Sequence, residues 1–301
     1  HLCDRRQRQM CIRDRTFTAK YGVVGLAVVQ KEFIAEGINE AGLSAGLFFF
    51  PHYGGYKTYD AAQNQRTLAD LQVTEWLLSQ FSTIDEVKAA LSSVRVVGLE
   101  KTAVVHWRIG EPSGRQVVLE IVGGVPHFYE NEVGVLTNAP GFEWQLTNLN
   151  NYVNLHPGDA SVQKLSGITL QPTGGNSGFL GIPGDATPPS RFVRAAFYRG
   201  TAPQRATGFD TVQQCFHLLN NFDIPIGIEY SQAGDIPDIP SATQWTSAID
   251  LTNRKVYYKT AYNNSIRCID LKAIDFSKVK YQSQPLDKIQ EQPVEMVKIP
   301  R

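Results

Sequence analysis

Apolar and polar positions change period several times along this chain, and the changes divide it into blocks. Tyr21 to Val29 is a near-continuous apolar run, the pattern of a strand buried on both faces. Phe33 to Gly37 is a short extended piece that enters the turn Asn39-Glu40-Ala41-Gly42, and Leu43 to Phe50 is a further strand that Pro51 ends. Leu68, Leu71, Val73, Trp76, Leu77 and Phe81 fall at helical spacing, predicting a helix over 68–81. Thr83-Ile84-Asp85-Glu86 is a capping box that starts another, through about Leu91. From Val94 the period becomes two. Ala103 to Ile109, Gln116 to Val122, Pro126 to Glu130 and Gly134 to Thr137 read as a meander of adjacent antiparallel strands. Gln145 to Val153 reads as helical, and a long Gly/Pro-rich passage runs from Gly167 to Pro189. Helices follow over 189–198 and 208–222, then three strands over 244–251, 255–262 and 265–271. Strand blocks separated by helix pairs predict an α+β fold of two stacked sheets with helices on both outer faces, not alternating βαβ units.

Composition narrows the function classes. The 301 residues are 42% hydrophobic, enough for a sizeable core, and Lys+Arg balance Asp+Glu at 29 each. A neutral chain offers no electrostatic case for nucleic acid or an anionic membrane, and no apolar run is long enough to span a bilayer. Cys3, Cys11, Cys215 and Cys268 form no CxxC pair, so neither a zinc site nor a disulfide framework is indicated, and no metal or organic cofactor is implied. Residues 1–15 crowd Arg and Gln without a strand or helix period and lack the apolar centre of a secretory signal. They read as a foreign leader ahead of a single domain over 16–301.

Two segments carry chemistry. In Val135-Leu136-Thr137-Asn138-Ala139-Pro140-Gly141 an apolar strand ends in Thr-Asn before a Pro-Gly turn. An amide held at such a tip can donate to a developing oxyanion without rearranging, or it can simply cap its own backbone. In Gly181-Ile182-Pro183-Gly184-Asp185 followed by Ser190-Arg191-Phe192-Val193-Arg194, a stiff loop precedes a helix with Arg191 in its first turn. A cation is electrostatically misplaced there, so Arg191 needs a carboxylate nearby or a functional reason. A salt-bridged surface arginine is the competing reading.

Together and in this order, these motifs resemble the choloylglycine hydrolase family, which includes conjugated bile salt hydrolases and penicillin V acylases. Asn39-Glu40-Ala41-Gly42-Leu43, Thr147-Asn148-Leu149, Thr243-Gln244-Trp245-Thr246 and Lys255-Val256-Tyr257-Tyr258 add to the resemblance, which spans roughly Lys20 to Lys278. It implies the αββα sandwich of the N-terminal-nucleophile hydrolases and hydrolysis of linear amides. In that chemistry a cysteine freed at the mature amino terminus attacks, and its own α-amino group takes the thiol proton. Asn138 corresponds to the family's oxyanion donor. Arg191 corresponds to the arginine that supports the nucleophile, where a positive charge raises the thiolate fraction. The resemblance also implies a small-molecule amide substrate and a homo-oligomer, a tetramer.

The chain departs from the family at its amino terminus. Members begin Met-Cys, and several tens of residues lead into the strand matching Tyr21 to Val29. Here Met10-Cys11 followed by Arg13-Asp14 imitates that beginning, but Lys20 comes only nine positions after Cys11. A first strand and hairpin cannot fit in that length, so Cys11 is a weak candidate nucleophile and the domain reads as amino-terminally truncated. Phe48-Phe49-Phe50 places rings on both faces of its strand, so Phe48 or Phe49 can line an acyl pocket or pack in the core, with Tyr53 on the following loop closing over a ligand. The passage from Pro225 to Ser241 resembles the Gram-negative branch of the family, which implies a periplasmic or secreted protein, with a cytoplasmic one as the other reading. Substrates of that branch include penicillin V, bile salts and acyl homoserine lactones. Two alternatives compete with the hydrolase: a ligand-binding relic of the same fold without a nucleophile, and a β-rich interaction protein, which leaves Asn138 and Arg191 unexplained.

Overall fold

The strand blocks fold into two main antiparallel sheets. The structure, a computed structural model, describes residues 18–99, 104–228 and 242–300, together with the backbone of Leu2–Cys3. In chain order the first elements are β1 (Leu2–Cys3), β2 (Val23–Ala27), β3 (Ile34–Asn39), β4 (Ser44–Phe49), β5 (Thr67–Ala69), α1 (Val73–Gln80), α2 (Ile84–Leu91) and β6 (Arg95–Val97). They are followed by β7 (Val105–Gly110), β8 (Gln116–Val122), β9 (Val125–Glu130), α3 (Phe142–Asn148), β10 (Gln163–Leu165) and β11 (Ile168–Leu170). The last are α4 (Pro188–Thr201), α5 (Gly208–Leu219), β12 (Trp245–Asp250), β13 (Lys255–Thr260) and β14 (Arg267–Asp270). The larger sheet runs β1-β2-β3-β4-β7-β8-β9 and the smaller β12-β13-β14.

Side-chain alternation stacks these sheets into four layers. Val23 points from β2 onto Trp76, Leu77 and Leu78 of α1 and Val87 of α2. Its neighbour Val24 points the other way, onto Val256, Leu271 and Phe276 beneath the smaller sheet. On that sheet Ile249 and Val256 face inward, while Ala248 and Tyr257 face outward onto Val212 and Phe216 of α5. The order is therefore helices, large sheet, small sheet, helix: the αββα sandwich. Fully buried Leu77, Leu78 and Ile84 each contribute about 1.5–3 kcal/mol through the area they remove from water.

One polar side chain ties two layers together. Asn39, fully buried at the end of β3, accepts from the backbone N–H of Ala41, Gly42 and Leu43 through Oδ1 at 3.0–3.1 Å. Its Nδ2 donates to the carbonyls of Leu78 and Phe81, at the end of α1, at 2.7 Å each. The tight turn rests on Gly42 at φ +101°, a conformation that favours glycine.

The elements differ from the sequence reading in four places. The helix over 68–81 begins only at Val73, because Thr67–Ala69 pairs in parallel with Arg95–Val97. The Gly/Pro-rich passage contains part of an exposed hairpin, β10 with β11. Val135 to Thr137 is not a strand: side chains replace the ladder, with Asn131 Nδ2 on the Val135 carbonyl and His106 Nε2 on that of Thr137. In the segment read as a leader, Leu2–Cys3 lies antiparallel to Val23–Val24. Residues 4–17, with Cys11, lie outside the described residues, as do 229–241.

Candidate active site

Asn138 and Arg191 meet directly. Arg191 Nη2 donates to Asn138 Oδ1 at 2.7 Å, and Asn138 Nδ2 donates to the Phe49 carbonyl at the end of β4, at 2.8 Å. Two segments 53 residues apart are thus joined over the rim of the large sheet. Arg191 Nε is held by the Ala186 carbonyl at 2.9 Å, and Thr137 Oγ1 donates to the Pro188 carbonyl at 3.0 Å, which fixes the loop before α4 against the Asn138 loop. An amide has two N–H donors, and the Phe49 contact uses one. A guanidinium on the amide oxygen draws electron density from the nitrogen, so both N–H groups become stronger donors.

The loop ahead of α4 is braced by two charged side chains. Arg194, 8% exposed, donates through Nη1 to the carbonyls of Pro183 and Asp185 at 2.7 Å each, and its guanidinium lies over the Phe222 ring. Asp185 accepts from Ser190 Oγ at 2.6 Å and from the Thr187 N–H at 2.8 Å. Arg191, in the first turn of α4, instead directs its charge to the Asn138 amide and the Ala186 carbonyl. The hydrogen bond from Ser190, with those from Thr187, holds the Asp185 carboxyl at about 2 against an ordinary 3.8. A carboxyl depressed on folding stabilises the fold above its unfolded value and loses that contribution as pH falls through its folded value. The stability difference between the natural chain and Asp185→Asn is therefore expected to be full above pH 3.8 and to vanish near pH 2, as read by thermal unfolding across that range. A difference that persists unchanged at pH 2 would contradict it.

The aromatic residues separate. Phe48 lines a cleft of about 570 Å³ together with Leu136, Tyr198, Phe222 and Trp245. Phe49 and Tyr53 are each 50% exposed and do not line that cleft, because alternation on β4 turns Phe49 away from Phe48, while Tyr53 stacks on Phe50. Neither Asn138 nor Arg191 lines it; Asn138 lies two residues after the lining Leu136 and bonds the carbonyl of Phe49, the neighbour of the lining Phe48. Tyr56, further along the loop after β4, is tied into the fold: its hydroxyl donates to the Val105 carbonyl and accepts from the Val105 N–H, and burial pushes its phenol far above the ordinary value.

Both described cysteines are poor nucleophiles. Cys215, half-buried on α5, and Cys268 on β14 have thiols pushed up chiefly by desolvation. Cys268 is exposed on β14, an edge strand of the small sheet. Among the described residues no group of His, Cys, Asp or Glu is arranged to hold a metal, and no helix is long and apolar enough to cross a membrane.

The sequence reading missed two pairs of titratable side chains. Glu36 and Arg108 meet at 3.3 Å on the cleft wall, and Glu36 also accepts from Trp245 Nε1 and Ser247 Oγ across the two sheets. His106 and Glu120 meet at 3.1 Å in the core. The available signal was a charged or titratable residue inside an otherwise apolar strand, which is seldom buried unless paired.

Comparison with known proteins bears on this geometry. A family model of the linear amide C–N hydrolases, choloylglycine hydrolase family, matches residues 4–284. The chain is 31% identical over 264 residues to a bile salt hydrolase/transferase of Clostridium perfringens, covering 85% of this chain and 79% of that protein. It is 28% identical over 291 residues to a penicillin V acylase of Pectobacterium atrosepticum, covering 87% and 69%. The crystal structure of a cysteine-to-alanine mutant of the C. perfringens conjugated bile acid hydrolase superimposes with a TM-score of 0.83 at 29% identity, over 96% of this chain and 88% of that one. The chain belongs to the choloylglycine hydrolase family of linear amide C–N hydrolases.

Proposed function

We propose that this protein hydrolyses the amide bond between a bulky apolar acyl group and a small polar amine, conjugated bile salts first among the substrates, by attack of an amino-terminal cysteine. The direct Arg191–Asn138 hydrogen bond at 2.7 Å carries the reading. A thiolate adds to the amide carbonyl, and Asn138 Nδ2 presents its second N–H to the oxyanion that forms. The α-amino group that took the thiol proton returns it to the departing amine, and water then releases the acid from the thioester. Arg191 polarises the Asn138 amide and adds positive potential near the thiol. The cleft beside the pair, with Phe48, Leu136 and Phe222 on its walls, suits an apolar acyl group, and conjugated bile salts, penicillin V and acyl homoserine lactones all carry one. Export to the periplasm belongs to the same reading.

Cys11 follows Met10, so its α-amino group is bound in a peptide unless residues 1–10 are removed. With the Cys11 α-amino group in peptide linkage, release of glycine from a glycine-conjugated bile salt is expected to be very slow or absent. A version beginning with a family-like Met-Cys strand is expected to turn over, as measured by amine release. A restored protein that hydrolyses neither bile salts nor penicillin V would leave the ligand-binding relic. Iodoacetamide-sensitive turnover by the unmodified chain, lost on Cys11→Ser, would instead assign Cys11 as the nucleophile.

A further inference from the structure

His106 on β7 and Glu120 on β8 are 0% and 4% exposed, and nothing in the hydrolytic scheme uses them. Their contacts converge on one short segment. His106 Nε2 lies 2.8 Å from the Thr137 carbonyl, immediately before Asn138. Glu120 Oε1 accepts from the Phe142 N–H at 2.9 Å, just after the turn that follows Asn138. The same Oε1 lies 3.1 Å from His106 Nδ1. The histidine ring is itself held, with Phe50 stacked flat on it at 4.2 Å and Phe48 edge-on at 6.1 Å. Asn138 to Gly141 is therefore gripped at both ends by one buried pair anchored on two neighbouring strands.

We propose that His106 and Glu120 act as a single positioning unit that holds Asn138 where it can donate to the oxyanion. The functional part of this inference rests on the hydrolase reading; the positional part does not. Each ring nitrogen faces an oxygen, so hydrogen bonding at both requires a proton beyond the one a neutral imidazole carries, held on the ring or in the Nδ1···Oε1 contact. That requirement makes the unit all-or-none. In Glu120→Gln, an oxygen placed at Oε1 keeps the Phe142 contact and takes the ring proton at Nδ1, leaving Nε2 bare against the Thr137 carbonyl. An amide nitrogen placed there keeps the Thr137 contact but meets the Phe142 N–H donor to donor. Either way one end of the segment is released.

The test uses the full chain labelled with 15N-asparagine, the Asn138 side-chain signal being identified by its loss in Asn138→Asp. In Glu120→Gln the Asn138 amide signal is expected to move or broaden while the buried Asn39 amide stays in place. Exchange of the Phe142 or Asn138 backbone N–H is expected to rise about tenfold or more. An unmoved Asn138 signal in a folded Glu120→Gln protein would overturn the proposal. Should that variant fail to fold, His106→Phe with Glu120→Met removes the pair without orphaning a buried charge, and it must release Asn138 in the same way. In the natural chain the Phe142 N–H must be protected; exchange at the rate of an exposed loop would also overturn the unit. With a conjugated bile salt and turnover present, the same variants should lower kcat about ten- to a hundredfold with KM little changed. The spectral shift without any turnover in the natural or restored protein would sink the hydrolase reading and leave the positioning unit standing.

Discussion

Asn138→Ala, in protein with a working nucleophile, is expected to lower kcat about a hundredfold or more while leaving KM nearly unchanged. Removing one preorganised oxyanion donor raises the barrier by roughly 3–4 kcal/mol where it has been isolated. In the proposed mechanism the charge that Asn138 meets exists only after attack, so the ground-state complex loses little and the effect falls on kcat. The amide here is prepared in advance: its oxygen is occupied by Arg191 and its nitrogen is steered by the Phe49 carbonyl, so no reorientation is needed during reaction. Asn138→Asp should be at least as damaging, because it replaces the donor by an acceptor facing the oxyanion. Steady-state kinetics with a conjugated bile salt decide it. A raised KM with kcat intact would make Asn138 a substrate-binding group, and the oxyanion role would fall.

Asn39→Ala is expected to cost about 3–5 kcal/mol of folding free energy, since several buried backbone groups lose their partner at once. Three N–H donors of the β3–β4 turn and two carbonyls at the end of α1 bond this one side chain, although the Gly42 N–H also bonds the Asn39 backbone carbonyl at 2.9 Å and keeps that partner. For a domain of this size the loss corresponds to roughly 10 °C in Tm. Asn39→Asp separates the two arms, because it keeps the acceptor for the turn and loses the donors to Leu78 and Phe81. Thermal unfolding measures both. A fall of under about 1 kcal/mol for Asn39→Ala would mean that water satisfies the orphaned groups.

Local signals were legible in the sequence, and tertiary ones were not. The Thr83–Glu86 capping box forms as read because both of its hydrogen bonds lie within one turn. Strand β8 matches its predicted bounds because turns close it on both sides. The start of α1 was misread because Leu68 obeys the helical period of the residues after it but pairs with Val96, far along the chain. The β10–β11 hairpin was missed because Leu165, Ile168 and Leu170 are exposed and bury no face that alternation could reveal. At the site, Asn138 and Arg191 stood out through motifs in their own segments. His106 and Glu120 did not, because their meaning lies in partners on other strands and loops.

The raised thiols of Cys215 and Cys268 have a practical side. At neutral pH each is overwhelmingly protonated, and alkylation proceeds through the thiolate. Brief exposure to a sparing amount of a haloacetamide will therefore mark both more slowly than ordinary thiols. Whatever thiol takes the label first under those conditions announces itself against a quiet background, and a peptide map alone locates it without replacing a single cysteine.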